Sequence, residues 1–177
     1  MNPITRKEIE RKISLYEPKK IKDDRAKRAA VLVPIYAGTE PLSIILTKRT
    51  TEVRIHKGEV SFPGGVCEKT DGNTLDAALR ESFEEIGLKR QDLEVLGRLD
   101  DLYTISGYLV SPYVAWINSP YNFRLSRREV AFLIFLPLDI ILSPDFKNED
   151  SLIYSGETIF GATLRILKNL SSVIISD

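Results

Sequence analysis

The sequence carries one cysteine, one histidine, one methionine and one tryptophan in 177 residues. The single thiol, Cys67, cannot close an internal disulfide, and a lone thiol fits a reducing compartment. Charge of either sign is not in excess: 25 Lys and Arg face 25 Asp and Glu, giving a formal net charge of zero. With no basic tail or stripe, nucleic acid is not an expected partner. No apolar run approaches the roughly 18–20 residues of a membrane span. The N-terminus lacks the apolar centre of a secretory signal, and the C-terminus lacks a peroxisomal Ser-Lys-Leu address. The expected location is therefore cytoplasmic. Internal repeats, low-complexity tracts and long linkers are also missing, so one domain with a substantial core is expected.

What is present is a concentration of acids. Between Arg80 and Gly87 stand Glu81, Glu84 and Glu85, little more than one helical turn. Leu75, Ala78, Leu79, Ser82, Phe83 and Ile86 recur at the spacing of a helix with one face on a core. Asn73 or Thr74 can cap its start, and Gly87 suits the position just past its end. Like charges three or four residues apart destabilise a helix by a few tenths of a kcal/mol, roughly, per pair. A divalent cation held by carboxylate oxygens is a natural counter-charge. At about 100° per residue, Glu81 and Glu85 point the same way, off the apolar stripe, and become the primary ligand candidates. Glu84 leans toward Arg80 and is shared between that arginine and the metal site. Alone, such a cluster reads as a solvated helix face. The preceding Phe62-Pro63-Gly64-Gly65 changes that reading, because glycines let a backbone approach a ligand or another segment closely.

The run from Gly64 to Leu88 resembles the signature of Nudix hydrolases: a glycine, an acidic position, then Arg-Glu-x-x-Glu-Glu-x-Gly. Two positions depart from it. Gly72 stands where the general pattern has an acid, with Asp71 one residue further back, and Ser82 replaces a large aliphatic residue. The offset of Asp71 is similar to that of one subgroup, the coenzyme A pyrophosphatases. Leu46-Thr47-Lys48-Arg49-Thr50, then Arg54, Gly58 and Phe62-Pro63-Gly64-Gly65, is very similar to the extra motif of that subgroup. Later stretches, including Thr104-x-Ser106-Gly107, Glu129-Val130 and Gly161-Ala162-Thr163, also resemble it. The likeness covers roughly residues 29–170.

Several expectations follow from the resemblance. The fold is α+β, the Nudix α/β/α sandwich with a mixed β-sheet. Residues 1–28 form an N-terminal helix and charged connection, and residues 29–177 a single Nudix hydrolase domain. The cofactor is Mg2+ or Mn2+, held by Glu81, Glu85 and Glu84. The substrate is coenzyme A or a derivative, cleaved at its diphosphate to 4′-phosphopantetheine and adenosine 3′,5′-bisphosphate. Arg49, Arg54, Gly64 and Gly65 bind it, since arginine forks match phosphate oxygens. Arg80, Glu84 and Glu129 are the catalytic candidates. Arg80 orients the carboxylates by pairing with Glu84, and Glu129 or a glutamate of the motif accepts the proton of the attacking water. Asp100 and Asp101 are alternative acids, and His56 is either a base or a structural hydrogen-bonder. Members often dimerise, so a homodimer is among the expectations. The alternatives are another nucleoside diphosphate compound, such as ADP-ribose or a dinucleotide, or a non-catalytic binding module of the same fold.

Local patterns supply the elements. Helix is expected over residues 3–17, from Leu75 to Ile86, after Pro137, and over 162–169. Strands are expected over 29–36, 42–47, 93–99, 102–105 and 111–117, with a last hairpin in 151–160. The continuous apolar run from Val130 to Leu136 reads as a central strand.

Overall fold

The computed structural model describes residues 4–51 and 58–176. Strand β1 (Lys27–Tyr36) runs through the middle of the molecule. Its sequence is apolar without alternation because both of its faces are covered. Val33 and Ile35 enter one core cluster, while Leu32 and Tyr36 enter another. Beside it, in parallel register from Lys27↔Tyr108 to Tyr36↔Ile117, lies β7 (Tyr108–Ile117). Every other pairing among the described residues is antiparallel. Strands β2 (Ser43–Arg49) and β4 (Gly64–Val66) pair with β1, and β3 (Val60–Ser61) pairs with β2. Strands β5 (Leu93–Arg98) and β6 (Leu102–Tyr103) pair with β7, and β8 (Val130–Pro137) pairs with β2. The result is a mixed sheet.

Helices cover both faces. Helix α2 (Thr74–Ile86) buries Leu79 and Ile86 against Leu32, Ile45 and Ala115, and sets Ala77 and Ala78 on Ala30. The opposite face carries α1 (Arg6–Leu15) and α4 (Gly161–Ile175), whose Ile9, Ile13, Leu167 and Leu170 join Val33, Val114 and Trp116. Helix α1 starts in a capping box, with Thr5 and Glu8 bonding each other's backbone N–H. On the same side lie α3 (Leu138–Leu142) and the hairpin of β9 (Leu152–Tyr154) and β10 (Glu157–Ile159). No described helix is long and apolar enough to cross a membrane.

Three local expectations change. Strand β8 is an edge strand: among the described residues it pairs with β2 alone. It reads as central because both of its faces are packed from Leu133 onward, although Ala131 and Phe132 are exposed. Ile134 and Leu136 enter the α4-side core, while Leu133 and Phe135 meet Tyr36 and Phe123 on the other side. Phe83 leaves the apolar stripe of α2 and is 54% exposed. Helix α4 continues to Ile175, because the Ser-Ser-Val-Ile-Ile end, rich in β-branched residues, packs Val173 and Ile174 into the core.

Candidate active site

Helix α2 is fixed at both ends. The Asn73 side chain accepts the N–H groups of Leu75 and Asp76 at 2.8 and 3.0 Å, an N-cap that satisfies two orphan donors. At the other end, the segment leading to β8 supplies donors to the last carbonyls. Arg124 N–H meets Ile86 O at 2.9 Å, Ser126 N–H meets Glu85 O at 2.8 Å, and Tyr121 Oη meets Gly87 O at 2.8 Å. The helix therefore presents its glutamates from a braced frame.

Against this frame lies the glycine loop. Strand β4 is held to β1 through Ala30↔Gly65 and Val31↔Gly64, and Leu32 N–H bonds Pro63 O at 2.8 Å. Gly64 has φ 149°, and a Cβ there would lie 2.3 Å from Ala30 O. A Cβ on Gly65 would lie 2.5 Å from the carboxyl carbon of Glu81. Both positions require glycine: the first for backbone conformation and packing, the second to let the loop touch the Glu81 carboxylate.

Two arginines serve these carboxylates. Arg80 grips Asp71 with two bonds, Nε to Oδ1 at 3.0 Å and Nη2 to Oδ2 at 3.1 Å. Its Nη1 reaches Glu81 Oε1 at 3.0 Å and Glu84 Oε2 at 3.2 Å, and Nη2 also reaches Val66 O at 3.2 Å. All five guanidinium N–H donors thus meet acceptors. Asp71 holds the Arg80 pKa far above its ordinary value, with burial opposing and Glu81 adding to the rise. The sequence pattern points to Glu84 as the partner of Arg80; the geometry adds Glu81 and makes Asp71 the principal one. The motif marks Asp71 by its one-residue offset but does not indicate that it pairs with Arg80.

Glu85 is 2% exposed. Its Oε1 accepts Arg49 Nη1 at 3.2 Å, and its Oε2 accepts Gly64 N–H at 3.1 Å. Burial pushes its pKa up to about 7, against the Gly64 bond and the Arg49 charge; Glu81 and Glu129 add to the rise. Burial likewise raises Glu81, with Arg80 opposing and Glu84 and Glu129 contributing. Glu81 and Glu129 thus repel Glu85, and Glu84 and Glu129 repel Glu81.

Residues 26–154 match the NUDIX domain family. The chain belongs to the Nudix family.

A curated relative, the uncharacterised Nudix hydrolase NudL of Pectobacterium atrosepticum, is 42% identical over 113 residues. The match covers 64% of this chain and 58% of that relative. Among solved structures, a C. elegans Ap4A hydrolase matches with a TM-score of 0.53 at 22% identity, covering 63% of this chain and 80% of its own. The NUDIX domain of Shewanella oneidensis NrtR, complexed with ADP ribose, gives 0.55 at 16% identity, covering 94% and 96%. Both structural likenesses are likenesses of the Nudix fold, an α+β sandwich around a mixed sheet.

Nudix hydrolases generally use divalent cations such as Mg2+ or Mn2+. Among the described residues, no three His, Cys, Asp or Glu side chains converge closely enough to form a ready-made cage. The chemistry of the donors nevertheless fits Mg2+, which is held by one or two carboxylates together with water and substrate phosphates. Glu81 and Glu85 are hard oxygen donors whose burial and mutual repulsion disfavour their charged forms, a cost that a nearby cation relieves.

The Nudix frame also locates the other candidates. Glu129 is half-buried and acts electrostatically on both Glu81 and Glu85. Its backbone is tied by Glu129 N–H to Ser126 O and Thr50 N–H to Glu129 O, both at 2.9 Å. Asp100 and Asp101 are committed elsewhere. Asp100 accepts Tyr16 Oη at 2.7 Å and Lys19 N–H at 2.8 Å, while Asp101 accepts Ile21 N–H, Ser111 Oγ and Arg98. They fasten the charged connection before β1 to the sheet. Cys67 follows the glycine loop, where burial pushes its thiol pKa up. Arg54 and His56 lie outside the described residues.

Proposed function

We propose that this chain hydrolyses the diphosphate of coenzyme A or one of its derivatives in a divalent-cation-dependent reaction. The products would be 4′-phosphopantetheine and adenosine 3′,5′-bisphosphate. The observation that carries this reading is the contact of two glutamates, the half-buried Glu81 and the buried Glu85, with the Gly64–Gly65 backbone. Arg49, from the strand preceding that loop, bonds Glu85. Those same residues make up the spacing that resembles coenzyme A pyrophosphatases, which selects coenzyme A among nucleoside diphosphate compounds.

In the reaction a water oxygen forms a new bond to one phosphorus, and the bridging P–O bond breaks, the bridging oxygen leaving with the other phosphate. Glu81 and Glu85, with Glu84 beside them, would hold a divalent cation, which would supply charge neutralisation and make a nearby water more acidic. Arg80 is a positioning residue: tied to Asp71, it holds the Glu81 and Glu84 carboxylates in place. We assign Glu129 as the acceptor of the water's proton: its backbone is fixed by Ser126 and Thr50, and its charge adds to the rise of both ligand carboxyls. Arg49 and Arg54 balance phosphate charge, and the Gly64–Gly65 loop, closed on β1 and on the Glu81 carboxylate, borders the substrate.

A second reading is a Nudix hydrolase of ADP-ribose or a dinucleotide. It draws on the solved neighbours, one an Ap4A hydrolase and one complexed with ADP ribose. A panel of coenzyme A, ADP-ribose and dinucleotides, run with Mg2+ and Mn2+ and with products identified by mass, tests both. Release of adenosine 3′,5′-bisphosphate from coenzyme A is the expected result. Turnover of ADP-ribose with none of coenzyme A overturns the first reading in favour of the second. Binding without turnover across the panel selects the non-catalytic module.

A further inference from the structure

We propose that Arg49 makes cation binding and diphosphate binding interdependent: it neutralises Glu85 in the free protein and transfers to a phosphate oxygen when the cation takes Glu85. This rests on the reading of Glu81 and Glu85 as cation ligands. Arg49 bonds Glu85 Oε1 at 3.2 Å, and Gly64 N–H occupies Oε2, so both oxygens of this buried carboxylate are engaged. A backbone N–H can share its oxygen with a cation. A guanidinium in contact with the same carboxylate opposes an incoming divalent charge, because like charges at this range repel strongly away from bulk water.

The pose of Arg49 is also incompletely satisfied. Its Nε is buried with no hydrogen-bond partner among the described residues, and an unpaired buried N–H on a charged group is unfavourable. The side chain as a whole keeps 24% of its surface exposed, so part of it is open to an arriving anion. A diphosphate offers paired oxygens that match the guanidinium fork. It also supplies the negative charge that lets arginine and cation coexist. Because no three carboxylates converge among the described residues, the cation itself needs anion oxygens to complete its shell. Cation and diphosphate therefore each improve the other's site, and the coupling is reciprocal.

The test measures Mn2+ bound to the protein by water-proton relaxation, with and without methylenediphosphonate, a diphosphate that is not hydrolysed. A protein-free titration subtracts Mn2+ bound by the diphosphonate in solution. The wild-type protein should bind Mn2+ weakly alone and at least about tenfold more tightly with the diphosphonate. Arg49→Met should bind Mn2+ alone more tightly than the wild type and lose most of the coupling. Circular dichroism reports whether this variant folds. If it does not, Arg49→Lys carries the test: it keeps the opposing charge, so Mn2+ alone stays weak, but without the fork its coupling falls. Arg49→Met binding Mn2+ no more tightly than the wild type, or either variant retaining full coupling, overturns the proposal. Wild-type binding without coupling overturns the role of Arg49 alone. No Mn2+ binding under either condition overturns the cation reading of Glu81 and Glu85 beneath it.

Discussion

Arg80 and Asp71 meet through two parallel bonds of 3.0 and 3.1 Å, and this fork joins the loop after β4 to the glutamates of α2. Asp71 is itself oriented, since its Oδ2 accepts Glu68 N–H at 2.7 Å and its own N–H bonds Glu68 O at 3.1 Å. Arg80 holds the Asp71 carboxyl below its usual range.

Asp71→Asn should therefore lower turnover by about 10–100-fold, the usual effect of removing a group that orients metal ligands. The Glu81 and Glu84 carboxylates would remain, held less firmly by Arg80. Steady-state kinetics with a Mg2+ titration checks this. A variant with unchanged turnover and unchanged Mg2+ dependence would show that Glu81 and Glu84 alone keep Arg80 in place.

The register of Glu81, Glu84 and Glu85 was legible because helix periodicity is local, and Asn73 and Gly87 mark its ends. Arg80's bond to Asp71 was not, because it depends on how the turn at Glu68–Asp71 closes. Nor was the contact of Arg49 with Glu85, which are 36 residues apart and meet only once β2 and α2 are packed. The reading of β8 failed for a related reason: burial of both faces produces an apolar run whether or not a strand has two neighbours. Exposure of Phe83 was hidden because a residue at the margin of a helical stripe has the same spacing as one at its centre.

Glu85 links site charge to stability. An unfolded glutamate titrates near about 4.3, whereas native Glu85 is raised to about 7. Between those values the native state holds the proton that the unfolded chain has released. Stability of the metal-free protein therefore falls as pH rises through this window, by about 4 kcal/mol for this group, and is lowest above it. Glu85→Gln should abolish turnover, lose this pH slope and melt above the wild type at pH 8. Thermal melts of the metal-free proteins at pH 5, 6, 7 and 8 check it. A wild-type melting temperature that rises across this window, with the variant parallel to it, would refute the assignment.

Gly64 and Gly65 should separate stability from activity. Gly64→Ala places a methyl against the Ala30 carbonyl at φ 149°, where neither backbone can yield cheaply. It should cost about 1–3 kcal/mol or more. Gly65→Ala meets the tip of the Glu81 side chain, which can rotate away. That variant should melt within a few degrees of the wild type yet lose most turnover and Mn2+ affinity. Melting curves beside Mn2+ titrations distinguish the two, and a fully active Gly65→Ala would remove Glu81 from the site.

The base can be assigned by comparing acids with different surroundings. Asp101 has a fully buried side chain engaged by Arg98, Ser111 and Ile21, so Asp101→Asn should destabilise the protein by about 3–5 kcal/mol by leaving Arg98 buried without its counter-charge. Any activity it loses should follow the folded fraction. Glu129 is half-buried and tied through its backbone, and its charge adds to the rise of the Glu81 and Glu85 carboxyls. Glu129→Gln should keep the melting temperature and lower kcat by about 10²–10⁴-fold, the span of general base catalysis, with KM little changed. A Glu129→Gln variant that keeps the wild-type kcat would transfer the base to a glutamate of α2.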